Sequence, residues 1–313
     1  MATTPQIAHP QRRIRFTPYV WILPAAVILA VFLFYPIFQT TALSFFEWNG
    51  FMPDPFAEFV GPSHYIELTQ DKFMGIATKN TFLFVLAMTT VELFIAFVLA
   101  VFIFQAQFRG AAWLRGILFF PSVLSAIVVG IIWRNIVFLR EGLIDQLTTA
   151  FGLPDFFPLG DIDLAFPSII VVAIWQNVGF NLIIFYAGLQ SLDNEVLESA
   201  QIDGASFWQL IIRIIAPLQR PVILVSIILN FIGGIKVFDL VFSMSASKGV
   251  NPLAVAHVTD VFATYMNFNS FGGGPRGSAV RAFGYAASIA VVMMVVSIVF
   301  AFLRQRLRRT VDI

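Results

Sequence analysis

Six polar or charged side chains interrupt long apolar stretches of this chain: Glu92, Asn177, Asn181, Asn230, Lys236 and Asp239. Ionisable groups inside an apolar span are costly, and by default they mark a pathway for a polar solute or ion. Asn177 and Asn181 are four residues apart on one helix face. Their amides could bond the hydroxyls of a solute or bridge to a neighbouring helix. Lys236 and Asp239, three apart, would share a helix face and could pair as ions or hold a substrate. Glu92 could meet a Lys or Arg of another helix, or a solute.

Other chemistry is excluded by what is missing. The sequence has no Cys, so thiolate catalysis, disulfides and zinc–thiolate sites are impossible. His9, His64 and His257 lie far apart without metal-ligand spacing, and read as loop residues. No G-x-x-x-x-G-K-[ST] loop is present to cradle nucleotide phosphates. If ATP is used, it binds another subunit. A net charge of +1 argues against nucleic acid as a partner.

The elements that must position these residues follow from composition. Of 313 residues 58% are hydrophobic and 12% charged, where soluble domains carry about 45–50% and about 25%. Too little polar surface remains to coat a water-soluble globule, so a polytopic membrane protein is expected. A spanning helix needs about 20 mostly apolar residues. Six stretches qualify: 19–40, 81–104, 111–132, 166–189, 222–242 and 283–303. Pro24, Pro36 and Pro121 are tolerable kinks in a bundle. Arg12, Arg13 and Arg15 precede the first stretch as in a signal peptide, but its apolar run is too long and no A-x-A site follows, so cleavage is not expected.

Basic residues orient the spans. Arg12, Arg13, Arg15, Arg109, Arg115, Arg213, Arg220, Arg304, Arg306, Arg308 and Arg309 fall on one face. The other carries Lys72, Lys79, Arg134, Arg140, Lys248, Arg276 and Arg281, diluted by many carboxylates. The first face is expected to be cytoplasmic, with both termini inside.

One cytoplasmic segment, about 191–216, has the pattern of a helix, a sharp turn and a second helix. Asp193 and Glu195 place negative charge at the positive end of the first helix. Leu192, Val196, Leu197 and Ala200 form an apolar stripe. Gly204 suits a left-handed helix end, and Ser206 with Gln209 reads as a capping box. Pro217 and Pro221 then break the chain before the fifth span. The bland reading of this segment is an amphipathic helix pair lying on lipid headgroups. Its acidic residues make a poor match to an anionic leaflet, which favours a partner protein.

This segment resembles the EAA loop of binding-protein-dependent ABC importer permeases, with Glu198-Ser199-Ala200, Asp203, Gly204 and Ala205 standing in the motif. Trp175, Gly179-Phe180, Ala187-Gly188-Leu189-Gln190 and Lys236-Val237-Phe238-Asp239-Leu240 are similar to the maltose and glycerol-phosphate branch, as are Phe59-Val60-Gly61, His64-Tyr65 and Lys79-Asn80-Thr81. Ser199 replaces the usual second Ala, Asp193 a common Pro. Ser245 to Pro252 replaces a Gly-rich stretch, while Gly272-Gly273-Gly274-Pro275 comes later, in an apparent insertion before the sixth span.

The resemblance implies an all-α polytopic membrane protein with six transmembrane helices, the type I importer fold and a cytoplasmic coupling loop. It divides the chain into an N-terminal tail (1–18), a first helix with external loop (19–75), a transmembrane domain (76–303) and a basic tail (304–313). It further implies a multi-pass protein of the bacterial inner membrane that does no covalent chemistry. The expected partners are a second, homologous permease, a dimer of ABC ATPases holding ATP and Mg, an extracytoplasmic solute-binding protein, membrane lipid and a carbohydrate. This chain itself would carry no cofactor. Asn177, Asn181, Asn230, Lys236 and Asp239 are the candidates for the substrate pathway. An oligosaccharide or polyol is expected, with glycerol-3-phosphate as the alternative within the family. A secondary transporter or channel working without ATP is the alternative from another class; its expected repeats or midplane ion site are not visible.

Overall fold

The computed structural model describes residues 17–106, 110–138, 142–154, 156–245, 257–271 and 282–309. The tail with His9 and its three arginines, Arg109, Arg140, Lys248, the Gly272–Pro275 run, Arg276 and Arg281 lie outside the described residues.

Four helices are long and apolar enough to cross a membrane: α1 (Trp21–Leu43), α3 (Lys72–Ala106), α7 (Ile162–Gln190) and α13, whose apolar part is Phe283–Leu303. Two bent pairs bring the number to six if each pair is one span: α4 (Ala111–Val123) with α5 (Ala126–Val137), and α9 (Phe207–Leu218) with α10 (Arg220–Ile235). Shorter helices are α2 (Ser63–Gln70), α6 (Leu143–Ala150), α8 (Asn194–Ile202), α11 (Asp239–Ser245) and α12 (Phe262–Phe271). The strands β1 (Phe46–Glu47) and β2 (Glu58–Phe59) pair antiparallel between α1 and α2.

The packing has three centres. Near α8 and α9, the second half of α3 lies along α7, where Ala96, Ala100, Leu182, Phe185 and Leu189 are buried together. Small residues let the two backbones approach closely. In a second centre α5 and α11 pack on the first half of α7 through Val129, Ile169, Val172, Val241 and Met244. In the third, α3, α10, α12 and α13 meet around Ala77, Val85, Ile235, Tyr265, Tyr285 and Ile289. Helix α1 stands apart: residues 21–39 are all exposed, and α13 is the helix it packs against.

Several expectations are corrected. The third span is not one helix over 111–132; it turns by 92° between Val123 and Ala126. Pro121 lies inside α4, and the break comes after it, where another helix receives the freed groups. The second span starts at Lys72 and runs through the boundary drawn at residue 75. The fifth ends at Ile235 rather than 242, after Gly233-Gly234. Lys236 caps α10 while Asp239 opens α11, so the two share no helix face. Among the described residues no ion pair joins them.

His64 and His257 are buried and hydrogen-bonded rather than plain loop residues. His64 sits on α2, 3% exposed, with Nε2 3.3 Å from the Phe46 carbonyl and 3.4 Å from Glu47. The register places Glu47 opposite Glu58, a like-charge pair that costs free energy. His257 is buried too; its Nδ1 bonds Asp260, whose main-chain carbonyl accepts from Asn80 Nδ2 at 2.9 Å.

Asp71 ties three elements at one end of the bundle. Its Oδ1 accepts the Phe73 N–H at 2.9 Å and caps α3, while its Oδ2 accepts the hydroxyls of Tyr265 (2.5 Å) on α12 and Tyr285 (2.6 Å) on α13. Burial alone would raise the Asp71 carboxyl, but these hydrogen bonds outweigh it and hold the group below the ordinary carboxylate range. Burial and the same carboxylate push the Tyr265 hydroxyl up. A carboxyl depressed in the folded state stabilises above its unfolded value, and that stability is lost as pH falls through the folded one. The thermal midpoint in detergent, followed by near-ultraviolet circular dichroism, should therefore fall as pH drops below about 4. Asp71→Asn should lower stability at neutral pH by on the order of 1 kcal/mol, since the carboxyl is partly exposed, and should flatten the acid dependence.

Candidate functional site

Two sites emerge. The first is a cavity of about 370 Å³ lined by Asn177, Asn181, Asn230, Lys236 and Asp239, together with Gln176 and Phe180. The structure thus brings every proposed pathway residue to one wall. Asn177 spends a hydrogen on the Ala173 carbonyl at 2.9 Å, one turn back on α7. Lys236 and Asp239 are exposed at the junction of α10 and α11, without side-chain partners among the described residues.

Behind the wall lies Glu92, fully buried. The Lys or Arg partner expected for it is replaced by two amides. Asn181 Nδ2 lies 3.0 Å from its Oε1, and Asn230 Nδ2 lies 2.5 Å from its Oε2. A π-helical turn over Met88–Glu92 opens the helix at this point. Such turns leave a carbonyl free, often at functional sites; here Asn230 Nδ2 also reaches the Met88 oxygen at 2.8 Å.

Gln176 was missed by sequence reasoning. It is 6% exposed, and its Nε2 donates to the Leu124 carbonyl at 3.1 Å, while Ser122 Oγ donates to the Gln176 carbonyl at 2.7 Å. The first bond satisfies backbone at the 92° break, and the second ties α4 to the main chain of α7. The signal available was an amide directly before Asn177 in an apolar run.

The second site is the pair α8–α9. Asp193 caps α8 by accepting the Glu195 N–H at 3.0 Å. The helix ends in paired bonds: Gly204 N–H to the Gln201 carbonyl at 3.1 Å, and Ala205 N–H to the Ala200 carbonyl at 3.0 Å. That is the Schellman arrangement, which needs a left-handed residue, and Gly204 has φ +81°. Ser206 and Gln209 then form the capping box that opens α9. Leu197 and Ala200 are buried against α3 and α7, with Leu192 half-buried beside them. Val196 departs from the expected stripe and faces outward. Glu198, Ser199, Asp203 and Gly204 are exposed and Ala205 is half-buried. Glu198 has no side-chain partner among the described residues. Ile202 (86% exposed), Phe207 and Trp208 stand outside the fold as apolar groups. No group of His, Cys, Asp or Glu that could hold a metal ion exists among the described residues.

Comparison with known proteins gives a consistent set. Residues 81–313 match the family described as "Binding-protein-dependent transport system inner membrane component". The chain is 27% identical over 299 residues to the probable ABC transporter permease protein YurN of Bacillus subtilis, covering 95% of this chain and 97% of that one. It is 27% identical to the lactose transport system permease protein LacF of Rhizobium radiobacter (91% and 92% covered). It is 30% identical to the diacetylchitobiose uptake system permease protein NgcF of Streptomyces coelicolor (88% and 77% covered). A chain of a bacterial alginate ABC transporter, crystallised with its alginate-bound periplasmic protein, shares the fold with a TM-score of 0.77 at 21% identity, covering 95% of each chain.

The cavity depends on α7 lying close to α4. A Cβ added at Gly179 would overlap the Leu118 carbonyl oxygen and the Phe119 Cα. Both are backbone atoms with no rotamer to escape by. Gly179→Ala should therefore force the helices apart and cost about 1–3 kcal/mol. The measurement is the thermal midpoint of the purified protein beside that of Gly75→Ala, a glycine with open space around it. Equal midpoints would contradict the close approach.

Proposed function

The chain belongs to the family of binding-protein-dependent transport system inner membrane components, and we propose that it is a carbohydrate-translocating permease of an ABC importer. Membership sets aside the transporter or channel working without ATP. It implies an ATPase and a solute-binding protein as partners. The importer would further contain a second, homologous permease, with lipid around both. The chain would cross the inner membrane six times with both termini cytoplasmic.

The observation that carries the reading is the α8–α9 pair. Leu197 and Ala200 on its inner face are buried in one cluster with residues of α3, α7 and α9, and its outer face presents Ile202, Phe207 and Trp208 to solvent. Exposed apolar groups beside an acidic helix suit a groove on another protein. The Glu198–Ala205 segment would seat in such a groove on the ATPase. Closure of the ATPase dimer around ATP and Mg would push the pair, and α7 would carry the movement to the cavity. The loaded binding protein would deliver substrate to the opposite face, and alternating access would complete the cycle.

Substrate class is supported by the relatives named for lactose, diacetylchitobiose and trehalose/maltose. An amide such as that of Asn177, which spends one hydrogen within its own helix, can hydrogen-bond a hydroxyl in either direction. A glycerol-3-phosphate reading would call for several cations, and Lys236 is the one basic side chain on the described cavity wall.

Two experiments test this. Reporter fusions after residue 309 and within 191–206 should both read cytoplasmic; an external signal at either place contradicts the topology. The substitution Gly204→Asp meets open space, so its cost is the left-handed strain alone, on the order of 1 kcal/mol. The variant should insert normally yet lose at least tenfold in binding-protein-stimulated ATP hydrolysis and in co-purification of the ATPase. Wild-type levels of both would leave this segment an ordinary loop.

A further inference from the structure

Glu92 has no role in the reading above, yet three helices converge on it. Among the described residues no cation lies within ion-pair distance. In the observed arrangement both its oxygens accept hydrogen bonds, so each amide beside it must turn its nitrogen inward. Asn181 Nδ2 lies 3.0 and 3.2 Å from the two carboxyl oxygens, and Asn230 Nδ2 lies 2.5 Å from one. Two amide oxygens remain. Asn230 Oδ1 takes a hydrogen from Asn181 Nδ2 at 3.1 Å. Asn181 Oδ1 has no partner, although the residue is only 1% exposed and belongs to the cavity wall. An orphan acceptor in so dry a place carries a desolvation cost that an incoming donor relieves.

We infer that Glu92 is a positioning residue that sets the polarity of the cavity wall: by holding both amide nitrogens it presents Asn181 Oδ1 as a free acceptor, and the substrate group received there is a hydroxyl donor. The inference rests on reading the cavity as the substrate path, and deepens it. A phosphate or carboxylate oxygen would meet a lone pair at this point and be repelled, whereas the hydroxyl of a sugar or polyol gives its hydrogen. Removing the carboxyl's claim on the nitrogens would let the Asn181 amide turn over and reverse what the wall offers.

The substitution Glu92→Gln keeps the shape and a hydrogen-bonded link between the helices, but it brings a donor. That donor turns to Asn181 Oδ1 and consumes the acceptor. The assay is equilibrium binding of tritiated lactose, trehalose and diacetylchitobiose to the purified permease–ATPase complex, with the binding protein left out so that its own affinity does not mask the cavity. Glu92→Gln should weaken binding of the bound sugar about tenfold, the worth of roughly one hydrogen bond. Assembly of the complex should stay at the wild-type level. Glu92→Gln combined with Asn181→Asp should restore binding, because the carboxylate at position 181 accepts the new hydrogens and keeps an oxygen spare.

A merely structural clasp leaves sugar binding unchanged in Glu92→Gln, and that result overturns the positioning role. Asn177→Leu, which narrows the cavity, separates this failure from a failure of the cavity itself. Binding weakened by Asn177→Leu but not by Glu92→Gln rejects the positioning role alone. Binding unchanged in both rejects the cavity as substrate path, and the positioning role with it. If Glu92→Gln does not accumulate, the double variant decides: wild-type sugar affinity supports the inference, and lost affinity in an assembled complex overturns it.

Discussion

Inside a bilayer a polar group has no water to bond, so wherever this chain interrupts a helix another helix has to receive the freed donors and acceptors. That constraint explains the middle of the molecule. At the 92° bend between α4 and α5, the Gln176 amide takes up the exposed Leu124 carbonyl, and Ser122 ties α4 back to α7 through the Gln176 main-chain carbonyl. At the π turn of α3, Asn230 takes the Met88 carbonyl. The cavity lies where these interruptions meet, bordered by Ala126 at the start of α5, Gly233-Gly234 at the end of α10 and Leu240 in α11. Irregular backbone at membrane depth is tolerated where it lines a cavity. The breaks and the cavity are therefore one feature.

Helix α7 relates that cavity to the α8–α9 pair. Its 29 residues are continuous and extend about 43 Å at 1.5 Å each. Its middle supplies Gln176, Asn177 and Asn181 to the wall, and its end supplies Leu189 to the same cluster as Leu197 and Ala200. Gly179 sets the helix tight against α4 by allowing contact with the Leu118 carbonyl. A continuous helix packed at both ends is a physical route by which displacement of one site moves the other.

What was legible in the sequence was whatever is local. Apolar runs marked the spans, Gly204 marked a left-handed helix end, and Ser206 with Gln209 marked a helix start; each needs only its neighbours in the chain. The polar residues of the spans were also conspicuous by type. What failed depended on residues far away. Pro121 drew the expected kink, but the break falls after it because Gln176, some fifty residues on, offers an amide to Leu124. Lys236 and Asp239 have a helical spacing, yet one helix ends at its cap, Lys236, and the next begins at Asp239. His64 and His257 looked like loop residues until Phe46, Glu47 and Asp260 came to surround them. The partners of Glu92 were named in the list of polar residues without being recognised as its partners.

The two sites have opposite unsatisfied chemistry. In the cavity Gln176 and Asn230 spend their hydrogen bonds on the protein, and what is left over is polar: the Asn181 amide oxygen and the side chains of Lys236 and Asp239. At α8–α9 the hydrogen bonds of both helix ends are complete, from the Asp193 cap through the Gly204 turn to the capping box, and the remainder is apolar: Ile202, Phe207 and Trp208. Apolar surface is relieved by area rather than by any one bond, and only a macromolecular partner offers enough of it. On the proposed function, the hydrogen-bonding capacity left unused in the cavity would serve a solute and the hydrophobic area left unused at α8–α9 would serve a protein. Helix α7, which supplies residues to both the cavity and the cluster of Leu197 and Ala200, would join those two events.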